Sequence, residues 1–395
     1  MSKYKQQIKL FRQKTKDSLK IFKRVIRTTL KSPVLAKNFL NFRSSAKAYD
    51  WIAVKKIMNE IAEEAYRVKD HRLLKDIAYS YRKFLDMEAY TYWEHKYEEL
   101  SGNLQSTRWL GEDLSNSTLW ISFKDTEKQG ISIGMNLVGH INAAKKRAKY
   151  TVLVVDSRLV QIFSRTFPEI EVLSGPVSPA AKQGTSLVTA NSLVLRLVLG
   201  TRDIDLNYFY VPLIPDKIRV NSFHSKYRNN NSRKLLFGIS WGSFSTTKLR
   251  VPLDLWIDLI QSINATFVVT QYRYSGFSND LEAIMSAAPE RVIFDKSVNQ
   301  LLDMDNFAAQ LSSLDALISV SSSDTYFSGA LGIPTFMTCD DLFRSICPVE
   351  PYNEIPWCPD STLYGKSGRE WSVVFRDLKN GLIKKYGQTI LINQM

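Results

Sequence analysis

From residue 118 onward the chain alternates short continuous apolar runs with stretches in which apolar residues recur every three or four positions. The runs Thr118 to Phe123 and Tyr150 to Asp156 predict buried strands, and between them a glycine-punctuated loop leads into a helix over about Met135 to Arg147. The alternation continues through strands predicted at Glu171 to Leu173, Ser192 to Leu199 and Tyr208 to Pro212. Lys226 to Arg233, with three consecutive asparagines, has the composition of an exposed linker. A second series follows: strand Lys234 to Ser240, helix Asp254 to Ile263, strand Thr266 to Thr270, helix Asn279 to Ala287, strand Arg291 to Phe294, helix Asn306 to Ser313, strand Ala316 to Val320, helix Asp324 to Leu331 and strand Thr335 to Met337. Strands and helices alternating in this way predict an α/β fold of two tandem domains, each a mostly parallel sheet covered by helices.

Upstream the period is helical throughout. Trp51, Val54, Ile57, Ile61 and Tyr66, then Leu74, Ile77, Tyr81, Phe84 and Leu85, give apolar faces for two or three packed helices before residue 100. They resemble a short tetratricopeptide-type module, but no second copy recurs at a fixed period, and a plain helical cap is the simpler reading. Before them, Ile8, Phe11, Leu19, Phe22, Ile26 and Leu30 recur at helical spacing among lysines and arginines until Pro33. The resulting divisions are a basic arm (1–48), a helical module (49–115), a first α/β domain (116–225), a linker (226–233) and a second α/β domain with a terminal helix (234–395).

Charge sharpens this picture. The net charge is +14, yet Met1 to Ala48 holds fourteen Lys and Arg and one acid, Asp17, so all but one unit of the excess lies in the arm. That distribution argues against a basic groove for nucleic acid over the folded body. A basic amphipathic helix suits an anionic membrane surface, with the apolar stripe inserted and lysines near lipid phosphates. The three cysteines, Cys339, Cys347 and Cys358, have spacings of neither a disulfide framework nor a zinc site, which predicts a reducing compartment and no structural metal. No run approaches the roughly 18 apolar residues that span a bilayer, and the N-terminus is too charged for a secretory signal. The protein is therefore expected in the cytoplasm, peripherally associated with the inner face of the cytoplasmic membrane.

Two turns carry candidate chemistry. The first strand of the second domain ends in Ser240-Trp241-Gly242-Ser243, followed by Lys248 and Arg250. Small residues, hydroxyls and cations at a strand's carboxyl end suit a pyrophosphate, and an ordinary turn is the alternative. The second turn, Ser319 to Thr325, runs from a buried strand into a helix, where hydroxyls and backbone N–H groups suit phosphate oxygens.

These turns, in this order, resemble the heptosyltransferase-like family of GT-B glycosyltransferases, including relatives fused to tetratricopeptide-type modules. Further matching features are Pro252 before a Trp-containing helix, Phe267 to Tyr272, Asp303 to Ala309, Leu314 to Ser319, Phe327 to Pro334, Pro356 to Pro359 with Trp371, and Arg158-Leu159 with Phe163 to Pro168. The likeness covers about Ser117 to Leu382. It implies two tandem Rossmann-like domains, and an inverting, metal-independent transfer from a nucleotide diphosphate sugar with no cofactor. The donor would bind mainly the C-terminal domain, the glycan or glycolipid acceptor the N-terminal one. Donor-binding candidates are Ser240, Trp241, Ser243, Lys248, Gln271, Ser321, Ser322 and Ser323, with packing an equal alternative for Gln271.

The family's first-domain loop carries Gly-Asp, the Asp acting as base. Here the corresponding Glu127 to Asn136 has no Asp, leaving His140, Asp125 and Glu127 as candidate bases. The family's Asp-Thr/Ser pair aligns with Ser321-Ser322 and its usual His with Tyr326, so that Asp324-Thr325 reads as a displaced lookalike. The leading expectation is an enzyme of surface polysaccharide or lipopolysaccharide synthesis. Its rivals are a non-catalytic binding or scaffold protein and a protein-modifying transferase whose helical module docks a polypeptide.

Overall fold

A computed structural model describes residues 51–83, 87–102, 106–123, 131–135, 137–199, 211–228, 234–242, 250–272, 276–339, 354–355, 358–366 and 369–392. The basic arm, with its amphipathic helix, lies outside the described residues. The chain divides into two compact units, one helical and ending at Ser106, the other α/β and beginning at Thr107.

The helical unit contains α1 (Trp51–Arg67), α2 (His71–Lys83) and α3 (Met87–Ser101). Ile57, Met58, Ile61 and Ala65 of α1 pack with Leu73, Leu74, Ile77 and Tyr81 of α2 and Trp93 of α3. The two large aromatic residues keep their polar ends satisfied on one group, since Tyr81 Oη and Trp93 Nε1 donate to Asn59 Oδ1 at 3.0 and 2.9 Å.

The α/β unit opens with β1 (Leu114–Ser122), α4 (Ser132–Met135), α5 (Val138–Lys145), β2 (Ala148–Val155), α6 (Val160–Thr166), β3 (Glu171–Ser174), β4 (Ser186–Ala190), α7 (Ser192–Leu199) and α8 (Lys217–Arg228). Its four strands form a sheet in the order β3-β2-β1-β4, and every pairing is parallel. Then follow β5 (Leu236–Ser240), α9 (Leu253–Ser262), β6 (Thr266–Val269), α10 (Phe277–Ala287), β7 (Val292–Ile293), α11 (Met304–Ser312), β8 (Ala316–Val320), α12 (Ser323–Ala330), β9 (Thr335–Cys339), β10 (Glu354–Ile355), β11 (Cys358–Gly365) and α13 (Trp371–Tyr386). These strands order as β7-β6-β5-β8-β9-β11-β10, parallel except at the β10–β11 edge. Counted from β5 and leaving out β10, that is the doubly wound 3-2-1-4-5-6 order.

Both faces of the second sheet are buried, which is why its strands read as continuous apolar runs. Leu236, Val268 and Leu317 face one core, while Phe237, Ile239, Phe267, Val269 and Ile318 face another that Trp256 and the α13 residues Val374, Phe375 and Leu378 complete. Gly238 lies between two of these strands: a Cβ there would come within 2.8 Å of Leu314 Cδ1 and 2.9 Å of Leu317 Cδ1.

The structure corrects four sequence expectations. Ser192 to Leu199, predicted as a strand, is helix α7, and the strand precedes it at Ser186–Ala190. The expected linker begins too early, because Lys226 to Arg228 are the last turn of α8, with Phe223 and Tyr227 stacked at 5.6 Å and both buried. Val211 and Pro212 are not in a strand, and the rest of that predicted element lies outside the described residues. The single helix expected from about Met135 is two, α4 and α5. Cys339 is buried at the end of β9. Among the described residues no helix is long and apolar enough to cross a membrane.

Candidate functional site

In a doubly wound sheet, the connection from the first strand goes to one side and a later strand returns to the other, opening a crevice at the carboxyl ends between them. Here that switch point lies between β5 and β8, whose last residues Ser240 and Val320 lead into the two turns singled out from the sequence. The fold thus brings the two turns together, although some eighty residues separate them in the chain.

At the end of β5, Ser240 is fully buried and its Oγ donates to Gln271 Oε1 at 3.1 Å. The same Oε1 accepts from Gly242 N at 2.6 Å, and Gln271 Nε2 donates to Tyr272 O at 2.9 Å. Gln271 is fully buried, so its amide fixes the backbone of the turn from beneath. Trp241 is buried as well, its ring stacked on Phe277 at 5.9 Å. Ser243 and Lys248 lie outside the described residues. Arg250 is exposed, with Nη2 at 3.2 Å from Asp280 Oδ2.

At the end of β8, the hydroxyls turn inward to a carboxyl group. Asp324 is 3% exposed, and its carboxyl group accepts from the hydroxyls of Ser322 and, at 3.2 Å, Ser319. Asp324 Oδ1 also accepts from Thr325 N at 3.0 Å. Burial pushes the Asp324 carboxyl above the usual carboxylate range, although the serine hydrogen bonds pull the other way. Thr325 Oγ1 donates to Ser322 O at 2.6 Å and, at 3.4 Å, receives Ser322 N, which closes the first turn of α12. Ser321 is buried, its N donating to Thr338 O at 2.9 Å, while Ser323 is exposed at the first position of α12.

Among the candidate donor ligands, then, Ser240, Gln271 and Ser322 are turned to partners inside the protein, and Ser323 faces solvent. Asp324, read from the sequence as a displaced lookalike, is the group on which the cluster converges. Its signal was present in the Ser-Ser-Asp-Thr run at a strand-to-helix junction, a helix-capping pattern.

The first sheet has its own switch point, between β1 and β4, and residues 124–130 that follow β1 lie outside the described residues, with Asp125 and Glu127 among them. His140 lies on α5 and is 3% exposed. Arg158 and Arg165, part of the family-like segment, link this sheet's layer to the second. Arg158 Nη1 donates to Leu301 O at 2.6 Å, and Arg165 forms a bidentate pair with Asp305 at 2.9 Å. Leu213 N donates to Ala330 O at 2.8 Å, and one apolar core runs from Ile121 and Phe163 to Phe307 and Phe327.

No family model matches the chain. Among curated proteins, Protein FlbA of Caulobacter vibrioides is 25% identical over 281 residues, or 65% of this chain. The chain spans 44% of FlbA's length, less than half of it. Among solved structures, the chain is similar to a glycosyl transferase of family 9 from Veillonella parvula, with 12% identity and a TM-score of 0.46 over 71% of this chain and 98% of that one. It is also similar to E. coli heptosyltransferase WaaC with ADP, at 8% identity and a TM-score of 0.45, covering 68% of this chain and 99% of that one.

Proposed function

We propose that the protein is a glycosyltransferase moving a sugar from a nucleotide diphosphate sugar to a glycan or glycolipid acceptor, in surface polysaccharide or lipopolysaccharide synthesis at a membrane. The observation that supports this is the meeting of two family-like turns at the β5/β8 switch point, where open α/β sheets bind ligands. The donor diphosphate lies against the backbone of these turns, beside exposed Ser323 and the start of α12. Lys248 supplies a cation to the leaving diphosphate, so that transfer proceeds with inversion and without a metal ion. The acceptor binds at the first sheet, next to the loop after β1. The burial of His140 favours Asp125 or Glu127 as the base that takes the acceptor proton.

A binding protein without catalysis is the second reading, favoured by the same buried His140 and by the missing Gly-Asp. Saturation-transfer NMR with UDP-, GDP-, ADP-, dTDP- and CMP-linked sugars tests the donor site. Binding of one nucleotide class is expected, weakened about tenfold (~1.4 kcal/mol) by Lys248→Ala. Silence from all five would sink the donor reading, whereas binding without turnover over a set of glycan and glycolipid acceptors selects the second.

A further inference from the structure

We infer that Arg158 and Arg165 are positioning residues, two points of a clamp that fixes the domain of the first sheet on the domain of the second, so that the cleft between the two switch points has a set width and does not close by hinge rotation when a donor binds. The placement of donor and acceptor in that cleft rests on the reading above. Arg158 and Arg165 lie seven residues apart, close to two helical turns, which puts them on one face of the segment formed by the short turn 157–159 and α6. Both reach the same stretch of the second domain. Arg158 Nη1 donates to Leu301 O at 2.6 Å, and Arg165 takes the two carboxylate oxygens of Asp305, four residues further on, at 2.9 Å.

Each guanidinium is also held by its own side of the contact. Arg158 donates from Nε and Nη2 to the two oxygens of Asp156 at 2.8 Å, and Asp156 directly follows β2, so this arginine is carried by the carboxyl edge of the first sheet. Arg165 Nη1 donates to Ile214 O at 3.0 Å as well. Ile214 N in turn donates to Thr166 Oγ1 at 2.9 Å, and Leu213 N donates to Ala330 O at 2.8 Å, at the last residue of α12. Residues 213 and 214 are thereby stitched to α6 on one side and, on the other, to the helix whose first turn belongs to the donor site.

A contact at one point between two domains is a pivot, whereas contacts at separated points oppose rotation. Here they are spread over Leu301 in the loop before α11, Asp305 in the first turn of α11, and Ala330 at the end of α12. Between them α4 packs on α12 and the 157–159 turn packs on α11, continuing one apolar core. Hinge opening would expose part of that core and leave Asp305, 5% exposed, without its bidentate partner.

The test is hydrogen exchange of the full chain read by mass spectrometry, in the wild type and in the double variant Arg158→Ala/Arg165→Ala. Residues 212 and 215 are prolines, so a peptide over 211–216 reports on few amides, and those of Leu213 and Ile214 are bonded across the contact. The double variant is expected to exchange them at least about tenfold faster, while the amides of β5 change by less than about threefold. An unchanged rate at Leu213 and Ile214 overturns the clamp, and so does equal acceleration in both places, which is global destabilisation and not release of one domain from the other. In the wild type, saturating ADP, GDP or UDP should leave the rate at Leu213 and Ile214 within about twofold of the free protein, and a change of about tenfold overturns the set width. If the double variant does not fold, Arg158→Ala alone carries the test, since it leaves the Arg165–Asp305 pair in place. An acceleration of at least about threefold confined to the contact is then expected, and an unchanged rate overturns the clamp. Calorimetric silence of the wild type towards all three diphosphates overturns the donor reading itself, and the exchange rates of the free proteins still decide the clamp.

Discussion

Asp295 and Asp324 are both buried acids, and the balance between burial and hydrogen-bond partners sends them in opposite directions. Burial alone would raise the Asp295 carboxyl, but Lys226 Nζ and Tyr227 Oη at 2.7 Å, with the Ser297 hydroxyl, outweigh it and bring the group down to about 2. A depressed carboxylate contributes stability that is complete above its unfolded value of about 3.9 and is lost as pH falls through the folded value. Urea unfolding between pH 5 and pH 2 should therefore show a wild type that weakens steeply and an Asp295→Asn variant that is less stable at pH 5 but flatter below it. Parallel pH profiles for the two proteins would mean that the ion pair contributes nothing. Tyr227 belongs to the same network: burial raises its phenol, which stays protonated and receives Gln310 Nε2 at 2.8 Å while donating to Asp295.

At the scale of single elements, the Asp303 to Asp305 pair divides into two jobs. Asp303 caps α11, its Oδ1 accepting from Asn306 N at 3.0 Å, while Asp305 is buried against Arg165. Asp303→Ala should cost about 1 kcal/mol in chemical denaturation and Asp303→Ser only a fraction of that, since serine also caps; equal losses would assign the effect to the 4.0 Å pair with Arg219 instead. Much of the second sheet was legible because strands buried on both faces leave no polar alternation, and β8 is bounded as its apolar run predicts. The same property misled at Ser192 to Leu199, a mainly apolar segment, broken only by Arg196 after its first serine, that fits a buried strand or a buried helix equally. The deciding signal was Asn191, whose Oδ1 accepts from Val194 N at 2.9 Å as a helix cap does. Short, hydroxyl-rich β4 was invisible beside it. In the site, the serines were found by composition, but the direction of each hydroxyl depends on its partner: Ser319 and Ser322 turn to the buried carboxyl of Asp324, and Ser240 turns to Gln271, 31 residues away in the chain.

For the molecule as a whole, the decisive feature is how unevenly its charge is spread. After Ala48 the chain carries thirty-nine Lys and Arg against thirty-eight Asp and Glu, so the folded body has almost no net attraction to an anionic surface. Inside that body many charges are already matched, as in the Arg165–Asp305 and Arg228–Asp315 pairs. Whatever holds the protein at a membrane must then come from the arm, where each Lys or Arg near the surface contributes ~1 kcal/mol. Sedimentation with vesicles of phosphatidylglycerol and phosphatidylcholine should show the full chain bound and a protein lacking Met1 to Ser45 released, with at least a tenfold loss in partitioning. Because the attraction is screened over about 8 Å at physiological salt, raising the salt should release the full chain too, to the extent that charge rather than the apolar stripe of Ile8, Phe11, Phe22 and Ile26 holds it. A truncated protein that sediments as well as the full chain would put the membrane contact on the folded body, and the acceptor would have to reach the switch point by a route that does not involve the arm.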